Sequence, residues 1–322
     1  MQAFEYASPK TLQEAFGLLG SSWADANILA GGTDLLNLMK EYIHSPKRVV
    51  DVKRIPELRG VEKTSAGLRI GAAVTLTELL GNAEVRSQYP SLSQAAQGVH
   101  SMQVRNMGTV GGDLCQRPRC WYFRNGFGLL ALKDGKSLVP NGENRYHAIF
   151  PSGPAYFVSA SSFGPPLIAL GARVKLVSSS GTREVQLEKF FLAPKDANTR
   201  EIDLRPNEIL TEILIPAAGV KNATYEVREK ESLDWPLATA SVALTMKGSQ
   251  VGSARIVLGH VGPVPVVASQ AAKALAGRTI NESVAEQAAK AAVSGAKPLS
   301  QNSYKVQLAR VAVKRALLAA AA

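Results

Sequence analysis

The chain has 322 residues, of which 46% are hydrophobic and 20% are charged, and this composition excludes both intrinsic disorder and a coiled coil. Its length corresponds to two or three domains. With 37 basic and 26 acidic residues, the net charge of +11 suits a membrane surface, an anionic cofactor or an acidic partner chain. We expect no nucleic-acid partner, because no long run of basic residues occurs.

The two cysteines are too few for a disulfide-stapled secreted domain. The first residues carry no apolar core of signal-peptide length, so we expect no export signal. No apolar run reaches about 18 residues, so we also expect no membrane span. These features predict a cytoplasmic location.

Hydrophobic periodicity and capping signals predict the elements of the N-terminal part. Thr11, followed by Glu14, begins a helix within 8–20. The further elements predicted there are a strand at 27–30, a helix at 33–40, a strand at 47–52, a turn at 55–58, a strand at 68–71, a helix that begins after Thr75, and a helix at 91–100.

The C-terminal part has a different pattern, in which alternating strands come before helices. The elements predicted there are a hairpin of 173–177 with 183–187, a strand at 208–216, a strand pair of 238–247 with 253–261, and helices at 268–276, 281–294 and 303–321. Strand pairs joined by short turns are antiparallel. The sequence therefore predicts the α+β class, with antiparallel sheets and a helical C-terminal end.

Residues 101–127 have no clear periodicity and contain both cysteines and several arginines. A long irregular segment inside a compact protein is more often functional than not. For its arginine-rich part, 117–124, two interpretations stand. It forms part of a subunit contact or a lid over a ligand, or it is a solvated basic loop.

A Gly-Gly pair follows the predicted strand at 27–30. Because glycine has no Cβ, successive backbone N–H groups in such a loop can converge on one anion. The loop comprises Leu29, Ala30, Gly31, Gly32, Thr33, Asp34 and Leu35. Taken alone, it is equally readable as a tight turn.

A second loop about eighty residues later repeats the same order of a hydroxyl, a Gly-Gly pair and a short acid. It contains Gly108, Thr109, Gly111, Gly112, Asp113 and Leu114. Neither the P-loop pattern nor the Rossmann pattern is present. The two loops are either unrelated turns or the two halves of one site for a long cofactor with a diphosphate.

These two loops resemble the paired FAD loops of the molybdenum hydroxylase flavin subunits. That family includes the medium subunit of carbon monoxide dehydrogenase and the flavin domains of xanthine dehydrogenase and aldehyde oxidoreductases. The resemblance covers essentially the whole chain, and the segments that carry it in order are 30–35, 50–58, 70–79, 105–114, 233–238 and 298–305.

The resemblance implies a PCMH-type FAD-binding domain of two lobes with the flavin between them, followed by a smaller α+β domain. The implied boundaries are 1–58 for FAD-binding lobe 1, 59–178 for lobe 2, and 179–322 for the C-terminal domain of the carbon monoxide dehydrogenase flavoprotein type. The residues of the two loops named above are then the expected FAD-binding residues.

The resemblance also implies a role in electron transfer. A large partner subunit would hold a molybdopterin cofactor and oxidise the substrate, and a small partner subunit would hold two [2Fe–2S] clusters. The FAD of this chain would receive the electrons and pass them to an acceptor. The alternative is a stand-alone FAD-dependent oxidoreductase of related two-lobe fold, although no substrate base is evident. Some relatives are exported with a partner, which leaves a periplasmic location open.

Three residues near the loops bear on the cofactor. Many relatives have Asn where Asp113 stands, and a carboxylate would repel a diphosphate, so Asp113 is expected to accept from backbone N–H groups or ribityl hydroxyls. Val99 falls where relatives place a larger residue beside the flavin ring. Arg105 is either a neighbour of the diphosphate or the partner of an acid on the other lobe.

Cys115 and Cys120 follow the second loop. Some relatives insert a four-cysteine loop for a [4Fe–4S] cluster here, but residues 125–140 contain no cysteine. Such a cluster usually needs four thiolates, and even with His147 a fourth ligand is missing. We therefore expect two free thiols and no cluster in this chain, with a local disulfide as the alternative in an oxidising compartment. His44 and His260 are expected to be structural.

Overall fold

The structure, a computed structural model, describes residues 1–217, 219–230 and 234–322. The strands are β1 (Glu5–Ala7), β2 (Ala26–Leu29), β3 (Arg48–Asp51), β4 (Val61–Thr64), β5 (Gly67–Gly71), β6 (Leu132–Lys133), β7 (Lys136–Ser137), β8 (Arg173–Ser178), β9 (Gly181–Gln186), β10 (Ile209–Pro216), β11 (Lys221–Val227), β12 (Ala238–Lys247), β13 (Gln250–Gly259) and β14 (Val266–Val267). The α-helices are α1 (Leu12–Leu18), α2 (Leu35–Lys40), α3 (Leu76–Gly81), α4 (Ala83–Gln88), α5 (Pro90–Gly98), α6 (Met102–Met107), α7 (Val110–Cys115), α8 (Gly164–Ala169), α9 (Leu187–Phe190), α10 (Ser269–Lys273), α11 (Glu282–Ala292) and α12 (Tyr304–Ala321).

The first lobe is built on a small parallel sheet in the order β1-β3-β2. Its helix α1 begins at Thr11, whose hydroxyl accepts from the amide of Glu14 at 3.1 Å. Ala15 of that helix and Val50 of β3 are fully buried together in one hydrophobic cluster. This packing holds the end of β2, and with it the first Gly-Gly loop, in a fixed position.

The second lobe contains an antiparallel sheet in the order β4-β5-β10-β8-β9. Strand β10 lies between β5 and β8, so residues far beyond 178 complete the sheet. The predicted boundary between 178 and 179 falls in the turn between β8 and β9, which pair with each other in this sheet. The sheet itself includes residues up to Pro216.

Helix α3 brings the second Gly-Gly loop against this sheet. The hydroxyl of Thr75 accepts from the amide of Glu78 at 3.2 Å, and the Glu78 carboxylate accepts from the amide of Thr75 at 2.8 Å. This reciprocal cap confirms the predicted start of the helix. Thr75 is also paired with Thr109 in an isolated bridge, which places the second loop beside the strand end.

The C-terminal domain is an antiparallel sheet in the order β11-β12-β13-β14, covered by α11 and α12. Helix α12 packs on β11 and β12, and α11 packs on α12, so that their small apolar side chains share a separate core with the sheet. This arrangement confirms the predicted α+β class. Leu233, which begins the 233–238 segment used in the family resemblance, lies outside the described residues.

The buried ammonium of Lys305 on α12 ties this domain to the preceding segment. It donates to the carbonyls of Tyr146 and His147 at 3.2 Å each, and to that of His260 at 2.8 Å. Among the residues that the structure covers, no helix is long and apolar enough to cross a membrane.

Candidate functional site

A cavity of about 430 Å³ opens where the two Gly-Gly loops meet. The first loop comes from lobe 1 and the second from lobe 2, so the cavity lies between the lobes. Except for Leu29 and Leu114, every predicted cofactor-binding residue lines it: Ala30, Gly31, Gly32, Thr33, Asp34, Leu35, Gly108, Thr109, Gly111, Gly112 and Asp113. Leu114 lies in the hydrophobic core, and Leu29 ends β2.

The first loop presents unused hydrogen-bond donors. The amides of residues 31–35 have no acceptor among the described residues, whereas the next amide, that of Leu36, donates to the carbonyl of Gly32 at 3.2 Å. Gly32 has a φ of +74°, which glycine adopts without the strain that a Cβ would bring. A run of free amides at the start of a helix attracts an anion.

The carboxylate of Asp34 does not compete for these amides, because arginines of the other lobe hold it. Its Oδ1 lies 3.1 Å from Nη1 of Arg119 and 2.8 Å from Nη2 of Arg124, and its Oδ2 accepts from the amide of Arg117 at 2.8 Å. Asp34 therefore contributes no free negative charge to the cavity. Its ion pairs also tie the two lobes together.

The second loop was expected to present a second set of free amides, but its amides already donate hydrogen bonds within the chain. The amide of Val110 donates to Val74, that of Gly111 donates to Ala72 at 2.9 Å, and that of Gly112 donates to the Thr109 hydroxyl at 3.0 Å. A Cβ on Gly111 would lie 2.7 Å from that of Ala72. These glycines therefore allow close packing on the strand end, and the first loop supplies most of the free amides.

Asp113 is partly buried at the inner end of the second loop and accepts hydrogen bonds from residues 161–163, about 50 residues further along the chain. Its Oδ1 accepts from the amide of Phe163 at 3.0 Å and from the hydroxyl of Ser161, and its Oδ2 accepts from the amide of Ser162 at 3.3 Å. Burial raises the pKa of Asp113 to about 6, although these hydrogen bonds oppose the shift. The Asp113 carboxyl therefore holds residues 161–163 against the second loop.

The arginine-rich stretch 117–124 is not a solvated loop. Arg117 is 8% exposed and pairs with the buried Glu201. The Arg119 and Arg124 side chains are also largely covered by their ion pairs with Asp34. Because Arg117 and Arg119 line the cavity, the stretch forms part of the wall, which sequence reasoning left undecided.

His44 also lines the cavity, although its position in a polar loop had indicated only a structural role. Its Nε2 lies 2.7 Å from Nη1 of Arg117. Because a guanidinium can only donate, Nε2 of His44 is the acceptor. Burial, and then the charge of Arg117, lowers the pKa of His44 to about 3. The ring is therefore neutral at physiological pH and adds no charge to the site.

Both thiols are free, and both residues are partly buried. Cys115 lines the cavity, and burial raises its pKa to about 12. The sulfur of Cys120 lies 3.1 Å from Nε2 of His147, and burial likewise raises the pKa of Cys120. Within the described ranges, no group of three or more His, Cys, Asp or Glu side chains is placed to hold a metal ion.

Other residues of the wall had weaker signals in the sequence. Val99 lines the cavity, as its position beside the flavin in the resemblance suggested. The side chain of Arg105 has neither of its expected partners, since it does not line the cavity and forms no ion pair with a described acid. Trp235 of the C-terminal domain lines the cavity with its ring 4.3 Å from the guanidinium carbon of Arg119.

Comparison with known proteins assigns the family. Residues 2–218 match the FAD binding domain in molybdopterin dehydrogenase, and residues 223–320 match the CO dehydrogenase flavoprotein C-terminal domain. The chain is 31% identical to the carbon monoxide dehydrogenase medium chain of Hydrogenophaga pseudoflava, over 98% of this chain and 96% of that one. It is also 31% identical to the aldehyde oxidoreductase FAD-binding subunit PaoB of Escherichia coli, over 96% of both chains.

Solved structures agree with this assignment. Carbon monoxide dehydrogenase from Hydrogenophaga pseudoflava, lacking the Mo-pyranopterin moiety, superposes with a TM-score of 0.76 at 31% identity, over 99% of this chain and 97% of that chain. Quinoline 2-oxidoreductase from Pseudomonas putida 86 gives 0.78 at 27% identity, with the same coverage. The chain therefore belongs to the FAD-binding medium subunits of the molybdenum hydroxylases, which are oxidoreductase subunits.

The residues of the cavity fit FAD. Free amides at 31–35 suit a diphosphate, and a Cβ on Gly31 would fill the space where the loops meet. The covered arginines of the wall add positive charge. The wall also includes apolar side chains, such as those of Val99 and Leu204, that suit a flat ring system.

Proposed function

We propose that this chain is the FAD-carrying electron-transfer subunit of a molybdenum-containing hydroxylase. In this role it takes electrons from the iron–sulfur clusters of a partner subunit and passes them to an external acceptor. The observation that carries the proposal is the run of free amides at 31–35, whose residues line the cavity between two lobes of a chain of this family. FAD, when bound, supplies the redox chemistry, and the protein positions it.

The residues of the two loops would then have different tasks. Gly31 to Leu35 would bind the diphosphate through backbone N–H groups, and the Thr33 hydroxyl is a further donor. Gly108, Gly111 and Gly112 would hold the second lobe close enough to close the site. Asp113 would hold the chain in place through Ser161 and Phe163, as its hydrogen bonds support.

The titratable groups of the cavity favour an electron relay over a stand-alone oxidoreductase with its own substrate base. The Asp34 carboxylate is held by arginines, the Asp113 carboxyl by donors of residues 161–163, and His44 by Arg117. None of the three is a free base that faces the cavity. Substrate oxidation is accordingly assigned to a large molybdopterin subunit, with a small [2Fe–2S] subunit between, as the medium-chain relatives suggest.

The experiment compares two glycine variants in the assembled complex. Gly32 and Gly248 have φ values of +74° and +59°, so Ala strains both sites, but Gly248 lies in the turn between β12 and β13, away from the cavity. We expect Gly32→Ala to lose FAD, measured by absorbance and by chromatography of released flavin, and Gly248→Ala to keep it. A wild-type complex without FAD would contradict the proposal.

The electron relay is tested in the same complexes after reduction by dithionite. Reoxidation of the iron–sulfur absorbance by NAD⁺, a quinone, a ferredoxin and oxygen is followed in turn. We expect at least one acceptor to reoxidise the wild type and Gly248→Ala rapidly, and the flavin-depleted Gly32→Ala slowly. Equal rates in all three would show that electrons leave the complex by a route that bypasses this chain.

A further inference from the structure

Arg200 is a partly buried cation in the cavity wall and forms no ion pair with an acid among the described residues. Its Nε and Nη1 atoms are buried and have no hydrogen-bond acceptor among the described residues. Its guanidinium carbon lies 3.7 Å from the centre of the Trp23 ring, which also lines the cavity. Burial, and then the charge of Arg117, lowers the pKa of Arg200 to about 10, so the side chain is still charged at neutral pH.

The acids near Arg200 are already engaged. Glu201, the next residue, pairs with Arg117, and Asp34 pairs with Arg119 and Arg124. Asp113, the other acid that lines the cavity, accepts from Ser161, Ser162 and Phe163, and Glu41 reaches Arg124 at 3.4 Å. These acids are therefore engaged by other groups, and His44 is neutral.

A guanidinium with two buried nitrogens that lack an acceptor is unfavourable, and arginine does not become neutral in proteins. Stacking on Trp23 offsets only a small part of the lost hydration. The arrangement is therefore one that a bound anion completes. FAD carries negative charge only on its diphosphate, and the free amides of 31–35 line the same cavity.

We propose that Arg200, oriented by Trp23, is the side-chain ligand of the FAD diphosphate in this chain and neutralises it together with the amides of 31–35. The inference rests on the proposed function and adds a residue to it. Arg200 comes from the segment between α9 and β10, whereas Trp23 comes from lobe 1. FAD binding would therefore fix this segment against the first lobe.

The test uses the full chain with Arg200→Gln and Arg200→Lys, and with Arg205→Gln as the matched control. Arg205 is in the same segment, and its side chain is 70% exposed. FAD affinity is measured by flavin fluorescence at several salt concentrations. Loss of a charge-assisted hydrogen bond predicts about 10- to 100-fold weaker binding for Arg200→Gln. We expect a smaller loss for Arg200→Lys and none for Arg205→Gln.

Thermal unfolding of the FAD-free chain separates a ligand role from a structural one. Removing an unpaired buried charge should leave the FAD-free Arg200→Gln chain at least as stable as the wild type, while its FAD affinity falls. The affinity of Arg200→Gln should also depend less steeply on salt, because one ionic contact is lost.

Three outcomes would overturn the inference. Unchanged FAD affinity in Arg200→Gln would show that the diphosphate does not need this cation, even if Gly32→Ala still loses FAD and the proposed function stands. A lower melting temperature of FAD-free Arg200→Gln and Arg200→Lys, with equal loss of affinity, would assign Arg200 a structural role. If the Gln and Lys variants bind FAD equally weakly, and their affinities depend on salt as that of the wild type does, Arg200 would act by stacking on the adenine instead.

Discussion

The α-carbon of Gly31 in lobe 1 lies against the backbone carbonyl of Met107 in lobe 2, so closely that a Cβ on residue 31 would overlap that oxygen. This is the point at which the two Gly-Gly loops meet. The neighbouring atom is backbone and not a flexible side chain, so neither loop can yield without moving its lobe. The width of the cavity therefore depends on residue 31 having no side chain.

Gly31→Ala should consequently separate the loops. Overpacking of a close contact is expected to lower the free energy of unfolding by about 1–3 kcal/mol and to reduce the FAD content. The control is Gly17→Ala on α1, where a Cβ would meet no atom within 4 Å and helix propensity favours Ala. Urea unfolding and flavin analysis check both variants. Full FAD content in Gly31→Ala would mean that the contact does not set the cavity width.

Asp34→Asn should destabilise the chain, because Arg119 and Arg124 would lose the carboxylate that compensates their charge. Breaking one partner of a buried ion pair typically costs about 3–5 kcal/mol. Glu41→Gln is the control, since Glu41 reaches the same Arg124 at 3.4 Å from an exposed position and should change stability by less than about 1 kcal/mol. Equal effects in urea unfolding would show that the cluster gains nothing from burial.

The same cluster changes the expectation for Arg117→Glu with Arg119→Glu. Both side chains are held inside this chain, by Glu201 and Asp34 respectively. The double variant should therefore misfold before any partner is added, with no dependence on complex formation. Circular dichroism of the isolated chain checks this outcome. A double variant that folds but does not assemble would indicate instead that the stretch 117–124 forms a subunit contact.

Asp113 should make stability depend on pH. Its pKa is about 6 in the folded chain, against an ordinary value of 3.8, so the folded state binds more protons between about pH 4 and pH 6. The contribution of this carboxyl to the free energy of unfolding therefore decreases as pH rises through that window, by up to about 3 kcal/mol. The difference in unfolding free energy between the wild type and Asp113→Asn should follow this curve, and a flat difference would contradict it.

The thiols should be unreactive in the folded chain. Burial raises the pKa of Cys115 to about 12 and also raises that of Cys120, so little thiolate is present at neutral pH. A disulfide reagent at pH 7.5 should label neither residue until guanidinium unfolds the chain. Cys115→Ser with Cys120→Ser should keep its FAD. Rapid labelling of the native wild type would show that the cavity opens to this side.

Local signals in the sequence predicted much of the fold. The cap at Thr75 and Glu78 depends on residues three apart, so the pattern alone reveals it. By contrast, β4 is mostly exposed and β11 begins with polar residues, and neither has the hydrophobic alternation that identifies a strand. Strand β10 is recognisable in the sequence, but its pairing with β5 and β8 depends on contacts distant in sequence, so the sequence did not reveal that this sheet continues past residue 178.

The sequence likewise predicted part of the candidate site. The two loops have a recognisable order of glycines and short polar residues, and the structure brings them to one cavity. His44, Trp23 and Arg200 belong to separate segments without any motif, and only tertiary packing brings them to this wall. Whether a glycine frees an amide or permits close packing also depends on its neighbours, as Gly32 and Gly111 show.

The central position of β10 has a consequence for synthesis of the protein. Arg69 of β5 and Glu212 of β10 are 143 residues apart and form an ion pair, so the sheet closes only after residue 216 has left the ribosome. Until then, β5 and β8 expose open edges that invite aggregation. The amide of Ala72, on which Gly111 packs, donates to Thr211, so the floor of the cavity forms equally late. Flavin supplied during expression can therefore bind only to a nascent chain that is already about two-thirds complete.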